Sequence, residues 1–149
     1  MMRYYLSLGT NLGDKEKNLR TAVRLLEERI GKVDSLSAFY ATEPWGFTSD
    51  NAFLNAAAGL HTLLTPLEVL EQTQEIECMM GRQHKSVDGV YADRLIDIDL
   101  LLGFDDTGAL VRMDTPRLRL PHPLMHLRDF VLRPLAEIAP EVVRHLNDL

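Results

Sequence analysis

The stretch Arg94-Leu95-Ile96-Asp97-Ile98-Asp99-Leu100-Leu101-Leu102 alternates apolar residues with aspartate and then turns wholly apolar. Successive side chains point to opposite faces of a strand. Residues 95–102 are therefore expected as a strand, with Ile96, Ile98, Leu100 and Leu102 on one buried face and Asp97 and Asp99 on the other. The two aspartate α-carbons then lie roughly 6.5–7 Å apart, from the rise per residue of an extended chain. Two carboxylates on one face repel unless a cation lies between them. Paired carboxylate oxygens are what magnesium takes, with substrate phosphates completing its shell. The plain alternative is a polar strand face that meets water. Asp-x-Asp also recurs in many phosphoryl and nucleotidyl transferases, so the motif defines a chemistry and not an enzyme.

Outward from this strand, the chain alternates two periodicities. Residues 3–8 are short, aromatic and apolar and end at Gly9, which predicts a strand; residues 9–14 form a turn with Asp14 as helix N-cap. Leu19, Ala22, Val23, Leu26 and Ile30 fall at helical spacing, and Gly31 ends that helix. A second strand is expected over 33–40, a loop over 41–51 and a third strand over 53–63. Thr65-Pro66-Leu67-Glu68 carries a capping threonine, a first-turn proline and a capping-box glutamate, so a helix starts there and runs to about Met80. A polar loop fills 81–93. Beyond the aspartate strand come a turn at 103–108 and a strand near 109–113. Pro116, Pro121, Pro123, Pro134 and Pro140 then leave room only for short helices. The order strand, helix, strand, strand, helix, strand is that of a ferredoxin-like βαββαβ sandwich, an α/β (α+β) fold. One mainly antiparallel sheet with helices packed on a face, plus short C-terminal elements, is expected. No repeat or linker divides the chain, so residues 1–149 are expected as a single domain.

Composition narrows the function. Of 149 residues, 46% are apolar and 26% charged, which is ordinary for a soluble globular chain. No membrane span or signal peptide is evident, and a cytoplasmic location is expected. Cys78 is the only cysteine, which excludes an internal disulfide and a thiolate zinc site. The net charge of −6 argues against general binding to nucleic acid or anionic membrane. Residues 112–133 nevertheless hold five arginines against two acids, with His122 and His126 among them, which suits a small polyanion. A monomer is the expectation.

Further residues point the same way. Arg82, His84, Lys85 and Arg94 bring cations next to the aspartate pair, and phosphoryl transfer needs mainly positioning and charge neutralisation. A solvated loop is the bland alternative. Gln74 and Glu77 lie at the edge of the buried stripe of their helix and can meet a ribose or base, or simply water. Pro121-His122-Pro123 fixes a histidine in an extended turn, where it can contact phosphate or carry a proton. Trp45, Phe53 and Phe130 can sandwich a flat heterocycle with Asn55 reading its edge, or pack as plain core.

The ordered set is more specific than its parts. It comprises Ser7-Leu8-Gly9-Thr10-Asn11-Leu12-Gly13-Asp14, Tyr40-Ala41-Thr42-Glu43-Pro44-Trp45-Gly46, Phe53-Leu54-Asn55-Ala56, Gln74-Glu75-Ile76-Glu77, Gly81-Arg82, the aspartate strand, Leu120-Pro121-His122-Pro123, and Arg128-Asp129-Phe130-Val131-Leu132-Arg133-Pro134-Leu135. Together these resemble the hydroxymethyl-dihydropterin pyrophosphokinases of folate synthesis, over nearly the whole chain. The resemblance implies a ferredoxin-like fold and transfer of pyrophosphate from ATP to the pterin hydroxymethyl group, with AMP released. It implies two magnesium ions on Asp97 and Asp99, and Arg82 and Arg94 assisting transfer. It implies an ATP site of Gln74, Glu77, His84, Lys85, Arg94, Ile98, His122 and Arg128. It implies a pterin pocket of Thr42, Pro44, Trp45, Phe53, Asn55 and Phe130, the ring stacking on Phe53 and Phe130.

The chain departs from the family pattern in places. Val90-Tyr91-Ala92-Asp93-Arg94 stands where a tryptophan and then Gly-Pro-Arg are usual, His84 where many members have arginine, and Leu124 and Leu127 where a cation and an acid are common. Competing readings are a small nucleotidyltransferase that releases pyrophosphate, a ligand-binding module without chemistry, and a family member that binds ATP but turns over poorly.

Overall fold

A computed structural model describes residues 1–42, 52–81, 95–123, 125 and 128–146. In chain order the elements are β1 (Met2–Thr10), α1 (Lys15–Arg29), β2 (Val33–Leu36), β3 (Tyr40–Thr42), β4 (Phe53–Thr62), α2 (Pro66–Met79), β5 (Asp97–Phe104), β6 (Met113–Asp114), β7 (Arg119–Leu120), α3 (Asp129–Ile138) and α4 (Pro140–Arg144). The main sheet runs β2-β4-β1-β5, with β3 also on β4, and every pairing is antiparallel. This is the expected βαββαβ order. The helices do not share one face, however. Leu19, Ala22 and Leu26 of α1 and Val69 and Ile76 of α2 pack on Leu6, Leu8, Ala58, Leu60, Ile98 and Leu100. On the opposite face, Val131 and Leu135 of α3 pack on Tyr5, Ala57, Leu101 and Leu102. The molecule thus has three layers, because α3 buries its own apolar stripe on the second face.

Local chemistry explains most boundaries. The Asp14 side chain accepts from the Lys17 amide and starts α1. At α2, the Thr65 side chain accepts from the Glu68 amide while the Glu68 carboxylate accepts from the Thr65 amide, the predicted capping box.

Four expectations are corrected. The strand expected over 33–40 is two strands, β2 and β3. The break falls at Ser37, whose hydroxyl takes the Ala57 amide at 2.9 Å and donates to the Ala38 carbonyl at 2.7 Å, so a side chain takes over half of the rung while the Ser37 amide still donates to the Ala57 carbonyl at 2.9 Å. The aspartate strand begins at Asp97 and continues to Phe104, since Gly9↔Asp97 is its outermost pair with β1. Leu102 does not share the face of Leu100. The pairing shifts between Tyr5↔Leu102 and Leu6↔Leu100, leaving Leu101 as an extra residue, and both Leu101 and Leu102 turn to the α3 side. The strand expected near 109–113 is reduced to a bridge at Leu110 and the two-residue β6, which pairs with β7 across a tight turn at Thr115.

Gly31 has a tighter reason to be glycine than helix termination. A Cβ there would lie 2.0 Å from the His61 carbonyl oxygen, so the end of α1 and β4 are in backbone contact. Gly31→Ala is therefore expected to cost about 3 kcal/mol. Urea unfolding should show a lower midpoint with an unchanged slope; a midpoint equal to that of the parent would mean the two segments part at no cost.

Candidate active site

The second face of the sheet changes character along its strands. Tyr5, Ala57 and Leu101 are covered by α3, but two residues further on stand Ser7, Asn55 and Asp99, and beyond them Gly9, Phe53 and Asp97. The register aligns Asp97 with Gly9, Gly9 with Asn55, and Asn55 with Tyr40, so one row crosses four strands. Strands lie about 4.8 Å apart, so the row brings the aspartate pair and the Asn55 amide to one surface. Asp97 and Asp99 are both half-buried on this face, as the period of two predicted.

Gly9, itself buried, is the bare centre of that row. A Cβ there would meet the Asn55 amide oxygen at 2.9 Å and Phe53 at 3.7 Å. Asn55 is buried and donates to the Thr42 hydroxyl at 2.7 Å, which orients its amide. Thr42, Asn55 and Phe53, three of the predicted pterin residues, are thereby gathered at one end of β3 and β4. Phe130, the fourth, lies half-buried on the first turn of α3, with the Arg128 guanidinium 5.7 Å from its ring centre.

The outer edge of β5 has no strand beside it among the described residues, and side chains and loops complete it. The Ile98 amide, between the two aspartates, donates to the Glu77 carboxylate at 2.9 Å. Glu77 is buried, not at the rim of its helix as the stripe implied. The His122 amide donates to the Leu101 carbonyl at 2.6 Å, using the carbonyl of the bulge. Beside this edge lies a cavity of about 350 Å³ lined by Leu70, Ile98, Asp99, Arg117, Arg119 and His122 among others. That volume suits a small ligand.

The structure thus joins Ile98, Asp99 and His122 at the cavity, with Glu77 behind them, and places Arg128 close enough to act on His122. Gln74 is exposed on α2, outside the lining of the cavity. Pro44, Trp45, Arg82, His84, Lys85 and Arg94 lie outside the described residues. Sequence reasoning missed Gly9, Arg117 and Arg119 as site residues. The cationic run over 112–133 was the signal for the two arginines. Only strand register shows why Gly9 must be bare.

Burial pushes the His122 imidazole below its ordinary pKa, and the Arg128 guanidinium adds to this, while the Asp97 carboxylate opposes it. The histidine is therefore held neutral near pH 7 and remains able to accept a hydrogen bond.

Residues 5–140 match the 7,8-dihydro-6-hydroxymethylpterin-pyrophosphokinase family. A 2-amino-4-hydroxy-6-hydroxymethyldihydropteridine pyrophosphokinase of Porphyromonas gingivalis is 49% identical over 136 residues, covering 91% of this chain and 90% of the relative. The folic acid synthesis protein FOL1 of Dictyostelium discoideum is 37% identical over 93% of this chain, which spans only 20% of that longer protein. In three dimensions the HPPK-DHPS protein of Plasmodium falciparum superposes with a TM-score of 0.73 at 16% identity, over 94% of this chain and 41% of that one, and shares the fold. A carboxylate pair on an edge strand, beside a cavity rimmed with arginine, together with these relatives, marks a diphosphotransferase. The chain belongs to the 7,8-dihydro-6-hydroxymethylpterin-pyrophosphokinase family.

A histidine with a depressed folded-state pKa binds protons more weakly folded than unfolded. Its contribution to stability is whole above the ordinary value of 6.5 and is lost as pH falls from there through the folded value. Proton NMR should find the His122 midpoint below 6.5. Asp97→Asn, which removes the opposing carboxylate charge, should lower it further; a rise in that variant would show that Asp97 does not face the imidazole.

Proposed function

We propose that this chain transfers the pyrophosphoryl group of ATP to the hydroxymethyl group of 6-hydroxymethyl-7,8-dihydropterin, releasing AMP, in folate synthesis. The observation that carries the proposal is the row Asp97–Gly9–Asn55, which sets a half-buried carboxylate and a buried, oriented amide on one face of the sheet across a bare glycine. The amide of Asn55 is suited to the edge of a pterin, and Phe53 and Phe130 to its faces. The cavity beside β5 is suited to a nucleotide: Leu70 and Ile98 offer apolar walls to a base, and Arg117 and Arg119 offer forks to phosphate oxygens.

Asp97 and Asp99 fit magnesium. They supply two hard oxygen donors, and magnesium takes its remaining ligands from phosphates and water. When bound there, two such ions would supply Lewis-acid neutralisation of the phosphate charge during transfer. The protein's own groups do the rest. Glu77 holds the Ile98 amide and so fixes the spacing of the aspartates. His122, kept neutral by burial and by the Arg128 guanidinium, offers an acceptor within reach of the Asp97 charge. Arg82, His84, Lys85, Arg94 and Gln74 complete the ATP site, and Pro44 and Trp45 the pterin pocket. The hydroxymethyl oxygen bonds to the β-phosphorus, the bridge to the α-phosphate breaks, AMP leaves with that bridging oxygen, and the hydroxyl proton passes to solvent. A single domain over 1–149, acting as a monomer in the cytoplasm, completes the proposal.

The test is to incubate the protein with ATP, magnesium and hydroxymethyl-dihydropterin and separate the nucleotides. AMP should form only with pterin present, and the Asp97→Ala, Asp99→Ala double variant should lose at least about a thousandfold in rate, of the order that removed electrostatic stabilisation costs. ADP in place of AMP would mean attack at the γ-phosphorus. Release of pyrophosphate would mean nucleotidyl transfer.

A further inference from the structure

Three contacts between α3 and the β2–β3 segment lie outside everything assigned so far. The Glu137 carboxylate accepts from the Ala38 amide with both oxygens, each at 3.1 Å, and from the Tyr40 hydroxyl at 2.5 Å. One turn earlier on the helix, the Arg133 guanidinium lies 5.7 Å from the centre of the Tyr40 ring. Phe130, Arg133 and Glu137 are spaced three and four apart, so they line one side of α3. Tyr40 is the fourth member of the row Asp97–Gly9–Asn55–Tyr40.

These contacts occur where the sheet is weakest. Ala38 sits in the break that Ser37 makes between β2 and β3, and β3 is only three residues long and pairs with β4 alone. Three rungs, Tyr40↔Asn55, Ala41↔Leu54 and Thr42↔Phe53, hold it in place. Yet Thr42 is the residue that orients the Asn55 amide. A strand so short needs a second attachment, and α3 supplies it. The Tyr40 phenol is raised above its ordinary pKa, first by its hydrogen bond to Glu137, so it stays protonated and donating.

We propose that Glu137, acting through Tyr40, is a positioning residue for the pterin pocket: it clamps β3 to α3 so that Thr42 holds the Asn55 amide and the Phe130 helix keeps a fixed distance from β4. Because α3 carries Phe130 while β3 and β4 carry Thr42, Asn55 and Phe53, the clamp joins the two sides of the pocket. It touches neither the aspartate pair nor the cavity beside β5. The inference rests on the pterin reading of this pocket.

Steady-state kinetics of AMP formation, with each substrate varied in turn, tests it. Glu137→Ala should raise the KM for hydroxymethyl-dihydropterin about tenfold, the order of one lost charge-assisted hydrogen bond, and leave the KM for ATP unchanged. Tyr40→Phe, which keeps the ring under Arg133, should raise the pterin KM by a smaller factor. Glu137→Gln, which keeps an acceptor oxygen, should recover part of the loss. A lower unfolding midpoint with both KM values unchanged would make Glu137 merely structural and overturn the proposal, as would equal rises in both KM values. The side-chain amide resonances of Asn55 give a readout independent of turnover. They should move in Glu137→Ala, and unmoved resonances would overturn the clamp even in an active enzyme. Should the parent protein form no AMP, the pterin reading fails while these resonances still decide whether Glu137 sets Asn55.

Discussion

Side chains of a strand have only two faces to use, and three strands of this sheet use one of them for two purposes. On β1, β4 and β5 the residues Tyr5, Ala57 and Leu101 bury under α3, whereas Ser7, Asn55 and Asp99, one step of two along the same strands, form the polar half of that face, with Ser7 and Asn55 buried and Asp99 half-buried. The apolar half is the part that α3 covers. Where α3 begins therefore decides where the site begins. Its N-cap and first turn carry Arg128 and Phe130, the guanidinium 5.7 Å from the ring centre. Core and candidate site are adjacent stretches of one surface, so the packing of Val131 and Leu135 also positions Arg128 and Phe130 ahead of them.

The same economy governs the edge of β5. An exposed edge strand presents amides and carbonyls that must be satisfied and that invite another chain. Here Glu77 from α2 takes the Ile98 amide, and the His122 amide takes the Leu101 carbonyl. Both partners come from segments for which the family resemblance implied an ATP site. They can serve a ligand only from positions fixed by the strand, so completing the edge and building the site are one event. The bulge at Leu101 contributes twice, by offering that carbonyl and by turning Leu102 toward α3.

Much of this was legible in the sequence, for definite reasons. Period-two alternation placed Asp97 and Asp99 on one face, and Thr65 with Glu68 announced α2, because each signal lies within a few residues and needs no partner. What failed depended on partners. The break at Ser37 follows from a hydroxyl reaching the Ala57 amide across the sheet. The extra residue at Leu101 follows from the register against Tyr5 and Leu6. Burial of Glu77 follows from the Ile98 amide, 21 residues away along the chain. The third layer was missed because five prolines in the last third favoured short pieces, yet Pro134 sits inside α3 without ending it. That proline is buried among the same residues that pack the helix onto β1 and β4, so tertiary burial outweighs the lost backbone bond.

Gly9 shows how far such dependence reaches. By itself it is a glycine at the end of a strand, in a stretch that reads as a turn. Paired with Asp97 on one side and Asn55 on the other, it becomes the gap between a carboxylate and an amide. A methyl group there would stand 2.9 Å from the Asn55 amide oxygen, too close without displacement. Asn55 has little room to yield, because Thr42 holds its nitrogen at 2.7 Å. Thr42 in turn is fixed by a strand three residues long that leans on α3 through Tyr40. The missing side chain at position 9 and the carboxylate at position 137 therefore act on the same amide from opposite sides. One leaves it space, and the other denies it freedom.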